Sequence, residues 1–127
     1  MKQINSNEAP KPVGPYSQAV MAGGFVFCSG QIGLDPFSNT LKQGVKEQTK
    51  QALINIEKVL GAAGLSMKDV VRVTVYLKNM NDFQEMNEEY TKHFSNPFPA
   101  RTTVEVSSLP KGALVEIDAI ATKDTLA

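Results

Sequence analysis

Residues 96–121 read NPFPARTTVEVSSLPKGALVEIDAIA, and this stretch organises the rest of the chain. It holds two runs of alternating apolar and polar residues separated by a turn signal, the pattern of two half-buried strands. The first run opens with Arg101 behind a Pro-Phe-Pro-Ala lead; the second sets Glu116 and Asp118 among Leu114, Val115, Ile117 and Ile120. Alternation puts Thr103 and Glu105 on the side of Arg101, opposite Thr102, Val104 and Val106. Read as a hairpin, the stretch has two registers. A tight turn on Pro110-Lys111 pairs Glu105 with Glu116 and leaves Arg101 about 13 Å along the strand. A wider loop over 106–111 sets Arg101 opposite Glu116. The residues leave both open.

Working outward, Val70–Leu77 is rich in β-branched residues and reads as a strand with Arg72 and Thr74 on one face. Val45, Thr49, Ala52, Leu53, Ile56, Val59, Leu60 and Ala63 share one helical face, and Gly64 follows as a left-handed C-cap. A shorter stripe of Phe83, Met86, Tyr90 and Phe94 marks a second helix, with Asn81 as its cap and Gln84 at the third position. Residues 1–17 read as an irregular, proline-rich arm. Gln18–Ala22 and Phe25–Ser29 are strands joined through Gly23-Gly24, a two-residue hairpin signal; Gly30 ends the second of them, with a continuation over Ile32–Leu34 left open. Asp35-Pro36 starts a turn. The order ββ-α-β-α-ββ predicts an α+β fold with both helices on one face of a mixed sheet. Apolar residues on both faces of Val70–Val73 require the other face to be covered as well. With no further helix to do so, symmetric self-association is the economical solution.

The 127 residues are enough for one domain, 1–127, with a core that needs no metal or disulfide. Thirteen acidic and thirteen basic residues balance, which argues against a nucleic-acid partner or an acidic membrane surface. A single cysteine, Cys28, excludes an internal disulfide and suits a reducing compartment. There is no signal-peptide core and no run of eighteen apolar residues, so the expectation is a cytoplasmic protein without a membrane span.

His93 and Cys28 are the only strong soft ligands, too few for a zinc site or a nucleophile–histidine triad. His93 reads as a solvated helix-end residue and Cys28 as an inert thiol within an apolar strand. Gly14-Pro15-Tyr16-Ser17 and Ser29-Gly30-Gln31 lack the glycines and lysine of a phosphate loop. Alone they are ordinary turns, although Gly30 would let a small carboxylate approach its backbone N–H. Arg101 presents a fork that matches a carboxylate, or else forms a surface salt bridge with Glu105. Glu116 is either an exposed edge residue or a partly desolvated carboxylate with a raised pKa, suited to exchanging a proton.

Three stretches, GPYSQAV (14–20), SGQIGLDP (29–36) and FPARTTVEVSSLPKGALVEIDAIA (98–121), resemble the signatures of the RidA/YjgF family of reactive-intermediate deaminases. The likeness extends over nearly the whole chain. It implies a chorismate-mutase-like subunit in a homotrimer, with the sheets forming a central barrel, the helices outside and active sites between subunits. The implied reaction is hydrolysis of small 2-imino acids, 2-iminobutanoate and 2-iminopropanoate, to 2-oxo acids and ammonia, without metal or cofactor. By the same resemblance Arg101 grips the substrate carboxylate and Glu116 activates water. Tyr16 and Ser29 supply pocket hydroxyls, Gly30 a backbone N–H, and Thr103 stands where some members have cysteine. Two other functions fit the same fold: a carboxylate-metabolite-binding regulator without turnover, and an endoribonuclease or translation inhibitor, against which the balanced charge counts.

Overall fold

The computed structural model describes residues 1–123. Its strands are β1 (Lys2–Ile4), β2 (Ala19–Ala22), β3 (Phe25–Ile32), β4 (Val70–Leu77), β5 (Ala100–Glu105) and β6 (Val115–Thr122), with helices α1 (Gly44–Ala62) and α2 (Phe83–Thr91). They form one six-stranded mixed sheet in the order β1-β2-β3-β6-β4-β5. The α+β architecture expected from the sequence is therefore present, with both helices on one face. Among the described residues no helix is long and apolar enough to cross a membrane.

The C-terminal hairpin is not. β5 and β6 do not pair, because β4 lies between them: β4 runs parallel to β5 and antiparallel to β6. Both registers considered for that hairpin are overturned. The cause lies in the connection. α2 carries the chain from β4 to the start of a strand running the same way, a crossover that makes β4 and β5 parallel neighbours. β6 then takes the open side of β4 and pairs with β3 on its other edge.

β6 is the core strand. Val115, Ile117, Ala119 and Ala121 turn inward and are almost fully buried, against Val73, Val75 and Leu77 of β4 and Leu53, Ile56 and Leu60 of α1. The alternate residues Glu116, Asp118 and Ile120 point to the open face, where Phe25, Phe27 and Val104 are also exposed. α1 keeps its expected apolar face and ends at Gly64 (φ +76°), where Leu65 N–H donates to Leu60 O and Gly64 N–H to Gly61 O, both bonds of a Schellman cap. Its buried face also carries two amides. Asn55 Nδ2 donates to the carbonyls of Ile32 and Leu34, at 3.3 and 3.0 Å. Gln48 donates to Lys42 O and accepts from Leu114 N–H, at 3.0 and 2.8 Å. These amides fasten the helix to the end of β3 and the start of β6.

Three smaller expectations change. The arm is not wholly irregular: Lys2–Ile4 pairs with β2, and buried Gln18 clasps the following loop. The Gln18 carboxamide accepts from Ser6 N–H (2.6 Å) and donates to the carbonyls of Ser6 and Pro10 (3.1 and 2.9 Å). Gly30 does not end β3; the strand continues to Ile32 through an irregularity between Cys28 and Gln31. Asn81 does not cap α2. A 3₁₀ turn, Met80–Asp82, precedes the helix, and Asn79 Oδ1 accepts the Asn81 N–H (2.9 Å). Gly23-Gly24, both at positive φ, makes the β2–β3 hairpin as expected.

Asn55→Leu keeps the volume but removes the donors that satisfy the two β3-end carbonyls. Urea unfolding is expected to show a loss of about 1–3 kcal/mol despite the gain in apolar surface.

Candidate functional site

Chemistry-bearing side chains gather at two separate places. The first is a cavity of about 370 Å³ between the arm, the end of β3, the start of β6 and the turn at Pro110–Gly112. Tyr16, Gly30 and Glu116 all line it. Glu116 sits opposite Ile32 on one side and Tyr76 on the other. A Cβ at Gly30 would overlap the Glu116 carboxylate, so the missing side chain is what gives that carboxylate its place. Burial pushes the Glu116 carboxyl above the ordinary carboxylate value, and the charge of Asp118 two residues on adds to the shift. Asp118 in turn accepts a hydrogen bond from the Tyr76 hydroxyl (3.1 Å). Glu116 is half-buried on an interior strand, not exposed on an edge.

Tyr16 is half-exposed, and its hydroxyl accepts from Val13 N–H at 3.4 Å. Ser29 is close in sequence but does not line the cavity; its hydroxyl donates to Ser17 O (2.6 Å) and ties β3 to the arm.

The second place is on the other face of the sheet. Arg101 lies beside Val73 on edge strand β5 and turns toward the helices. Its guanidinium lies over the Tyr90 ring at 4.7 Å and near that of Phe83 at 5.7 Å, two cation–π contacts from α2. A small cavity of about 280 Å³ adjoins it, walled by Tyr90, Thr91, Phe98 and Pro99. The surface salt bridge with Glu105 does not form: Glu105 instead accepts the Met80 N–H at 2.7 Å. Among the described residues no carboxylate lies within ion-pair distance of Arg101. Thr103, two residues on, has a buried hydroxyl with no partner.

Arg101 and Glu116 are thus two strands apart and on opposite faces. Val104 stands opposite Tyr76, and Tyr76 opposite Glu116, so the two α-carbons are separated by about 14 Å. No arrangement of side chains within one copy lets both touch one small molecule.

Phe83 and Tyr90 are site residues that the sequence does not reveal as such. Phe83 and Tyr90 stand seven residues apart on one face of α2, and both rings meet the Arg101 guanidinium. The spacing of Phe83 and Tyr90 was legible, but only as an apolar stripe. His93 is not solvated: its Nε2 lies 2.8 Å from Glu89 Oε2, and both side chains are largely buried. Burial alone would push the Glu89 carboxyl up, but hydrogen bonds from His93 and Lys92 outweigh it and hold the group low. A depression of about 740 Å³ is lined in part by Lys92 and His93, but Glu89 already engages both. Cys28 is buried, as expected, and its thiol is pushed up to about 12 by burial, with Asp118 adding to it. Among the described residues no three His, Cys, Asp or Glu side chains converge as metal ligands.

The family model described as Endoribonuclease L-PSP matches residues 6–123. The chain belongs to this family, the RidA/YjgF group. A RutC family protein of Pyrococcus horikoshii is 55% identical over 126 residues, covering 98% of this chain and 100% of that one. The 2-iminobutanoate/2-iminopropanoate deaminase of Bos taurus is 47% identical over 126 residues, covering 98% and 92%. The crystal structure of RidA from an Antarctic Psychrobacter superposes with a TM-score of 0.94 at 43% identity, covering 96% and 99%. The names within this family span deamination and RNA cleavage.

The raised Glu116 carboxyl has a sign that can be checked. As pH rises the unfolded chain releases this proton first, so the contribution of Glu116 to stability falls from its ordinary pKa up to its folded-state value and is level thereafter. Glu116→Gln lacks that fall. The variant is expected to gain in melting temperature relative to the natural protein at pH 7.5 and not at pH 4, read by parallel thermal scans. A gain of equal size at both values would show that burial of the charge is not the cause.

Proposed function

We propose that the protein hydrolyses small 2-imino acids, 2-iminobutanoate and 2-iminopropanoate, to the 2-oxo acids and ammonia. The observation that carries this reading is the division of labour between the two places. One holds a half-buried carboxylate whose proton affinity burial raises above the ordinary value, in a cavity also lined by the Tyr16 phenol and Gly30. The other holds a guanidinium seated on aromatic rings with no anion of its own. A carboxylate ligand and an acid–base group are what imine hydrolysis needs.

In this reading Arg101 receives the substrate carboxylate in two parallel hydrogen bonds. The protonated imine carbon is already electrophilic. Glu116 takes a proton from water as its oxygen adds to that carbon, forming a carbinolamine. It then returns that proton to the amino group, takes the hydroxyl proton as the C–N bond breaks, and passes it to the departing ammonia, leaving the ketone and an ammonium ion. The equation balances with water alone. Tyr16 and Gly30 contribute a hydroxyl and a backbone N–H to the cavity, Ser29 holds the arm that carries Tyr16, and Thr103 adjoins Arg101.

Because Arg101 and Glu116 face opposite ways, the complete site is assigned to a boundary between copies. A homotrimer with the open sheet faces turned inward would cover Phe25, Phe27 and Val104, and a reducing, cytoplasmic setting suits the single free thiol. The bovine relative's name supports the deaminase reading. The endoribonuclease description finds less support, since a net charge of zero leaves little to attract a phosphate backbone.

Purified protein is expected to speed ammonia release from imines generated in situ by a threonine dehydratase or an amino-acid oxidase. Arg101→Ala should lower kcat/KM by about 100-fold or more with unchanged circular dichroism, as the loss of two charge-assisted bonds requires. No acceleration by the natural protein would sink the deaminase reading.

A second expectation concerns the divided site. Arg101→Ala and Glu116→Ala, each inactive alone, should recover part of the activity when unfolded together and refolded as mixed oligomers. No recovery would place both residues in one copy's site or remove one of them from it.

A further inference from the structure

The cavity that holds Glu116 is lined by two lysines to which the proposed hydrolysis gives no role. Its titratable lining residues are Lys11 from the arm, Tyr16, Glu116 and Lys111 from the turn before β6. The other walls are mainly apolar, including Val13, Ile32 and Leu34. Among the described residues neither lysine meets a carboxylate within ion-pair distance, although Lys42, Lys58 and Lys92 all do. Glu116 does not answer them either: Asp118 and burial set its proton affinity, with no lysine among the causes. Two lysines thus line a mainly apolar cavity and form no ion pair with its single carboxylate.

The backbone at Lys111 adds an independent observation. Its φ is +57°, the left-handed region, and the next residue, Gly112, is at +70°. Glycine takes that conformation without strain, whereas a side chain there is disfavoured. A lysine thus forms part of the cavity wall where glycine would fit the backbone more easily, and such local strain is a pattern associated with functional positions.

We propose that Lys11 and Lys111 form a subsite for a second carboxylate, so that the site takes 2-imino acids whose side chain ends in an anion, the imines of acidic amino acids. The subsite rests on the deaminase reading for its substrate class, and on the lysines alone for its charge. Arg101 binds the carboxylate next to the imine carbon. The distal carboxylate then lies against the two ammonium groups, with the side-chain methylenes along the apolar walls. With Arg101 counted, three positive groups and Glu116 match two substrate carboxylates more closely than one.

The test uses stable 2-oxo acids and calorimetry at low salt. 2-Oxoglutarate is expected to bind about ten-fold or more tightly than 2-oxobutanoate. That ratio should collapse toward one in the Lys11→Ala/Lys111→Gly double variant and in part survive in Lys11→Arg/Lys111→Arg. Glycine suits the backbone at 111, and Lys11 is exposed, so both variants should fold; circular dichroism checks this. Rising ionic strength should lower the ratio. A ratio near one in the natural protein, binding of neither acid, or a ratio unchanged in the alanine/glycine variant overturns the proposal. If the ratio depends on the lysines but no imine is hydrolysed, the deaminase reading fails and the subsite stands. If imines are hydrolysed and the ratio is near one, the reverse holds.

Discussion

The interaction on which the rest depends is the double pairing of β6. This strand hydrogen-bonds to β3 on one edge and β4 on the other, and its inward residues close the core beneath α1. Once Val115, Ile117, Ala119 and Ala121 are committed inward, the period of the strand commits Glu116 and Asp118 outward. A slip of one residue would bury two carboxylates and expose four apolar side chains. Packing energy in the core thus sets the direction of the acid at the candidate site. The amides of Gln48 and Asn55 reinforce this by fixing α1 to the two strand ends that meet at Glu116 and Gly30.

Much of this was legible in the residues. The face of α1, its Gly64 cap, the glycine hairpin and the alternation in β6 are local patterns, and each is governed by contacts within a few positions. The partnership of β5 was not. Two alternating runs flanking a turn look like a hairpin whether or not a third strand lies between them, and nothing within 96–121 reports that β4 occupies that place. Only the crossover through α2 does so. Hairpin register therefore does not decide how Arg101 and Glu116 relate; what separates them is which face each one occupies.

The candidate site divides along the same line. Glu116 could be read as desolvated because its strand neighbours are apolar, and Gly30 as a close approach because only glycine lacks a Cβ. The seat of Arg101 was hidden. Phe83 and Tyr90 have the spacing of ordinary core residues, and a cation resting on their rings leaves no signature in an apolar stripe. Aromatic support holds a guanidinium in place without neutralising it, which a salt bridge to Glu105 would have done. An arginine that keeps its charge remains able to receive an anion.

The clasp made by Gln18 has a consequence for motion. One carboxamide holds both ends of the segment between Ser6 and Pro10 and anchors the base of the loop that carries Lys11 and Tyr16. That loop forms a wall of the Glu116 cavity yet contributes little to the apolar core. Its opening is then a sub-global event, governed by a few polar contacts rather than by the cooperative unfolding of the sheet. Backbone amides of the loop would exchange with solvent well before those of β6. Entry to the cavity and the durability of the fold are in that sense set by different parts of the molecule.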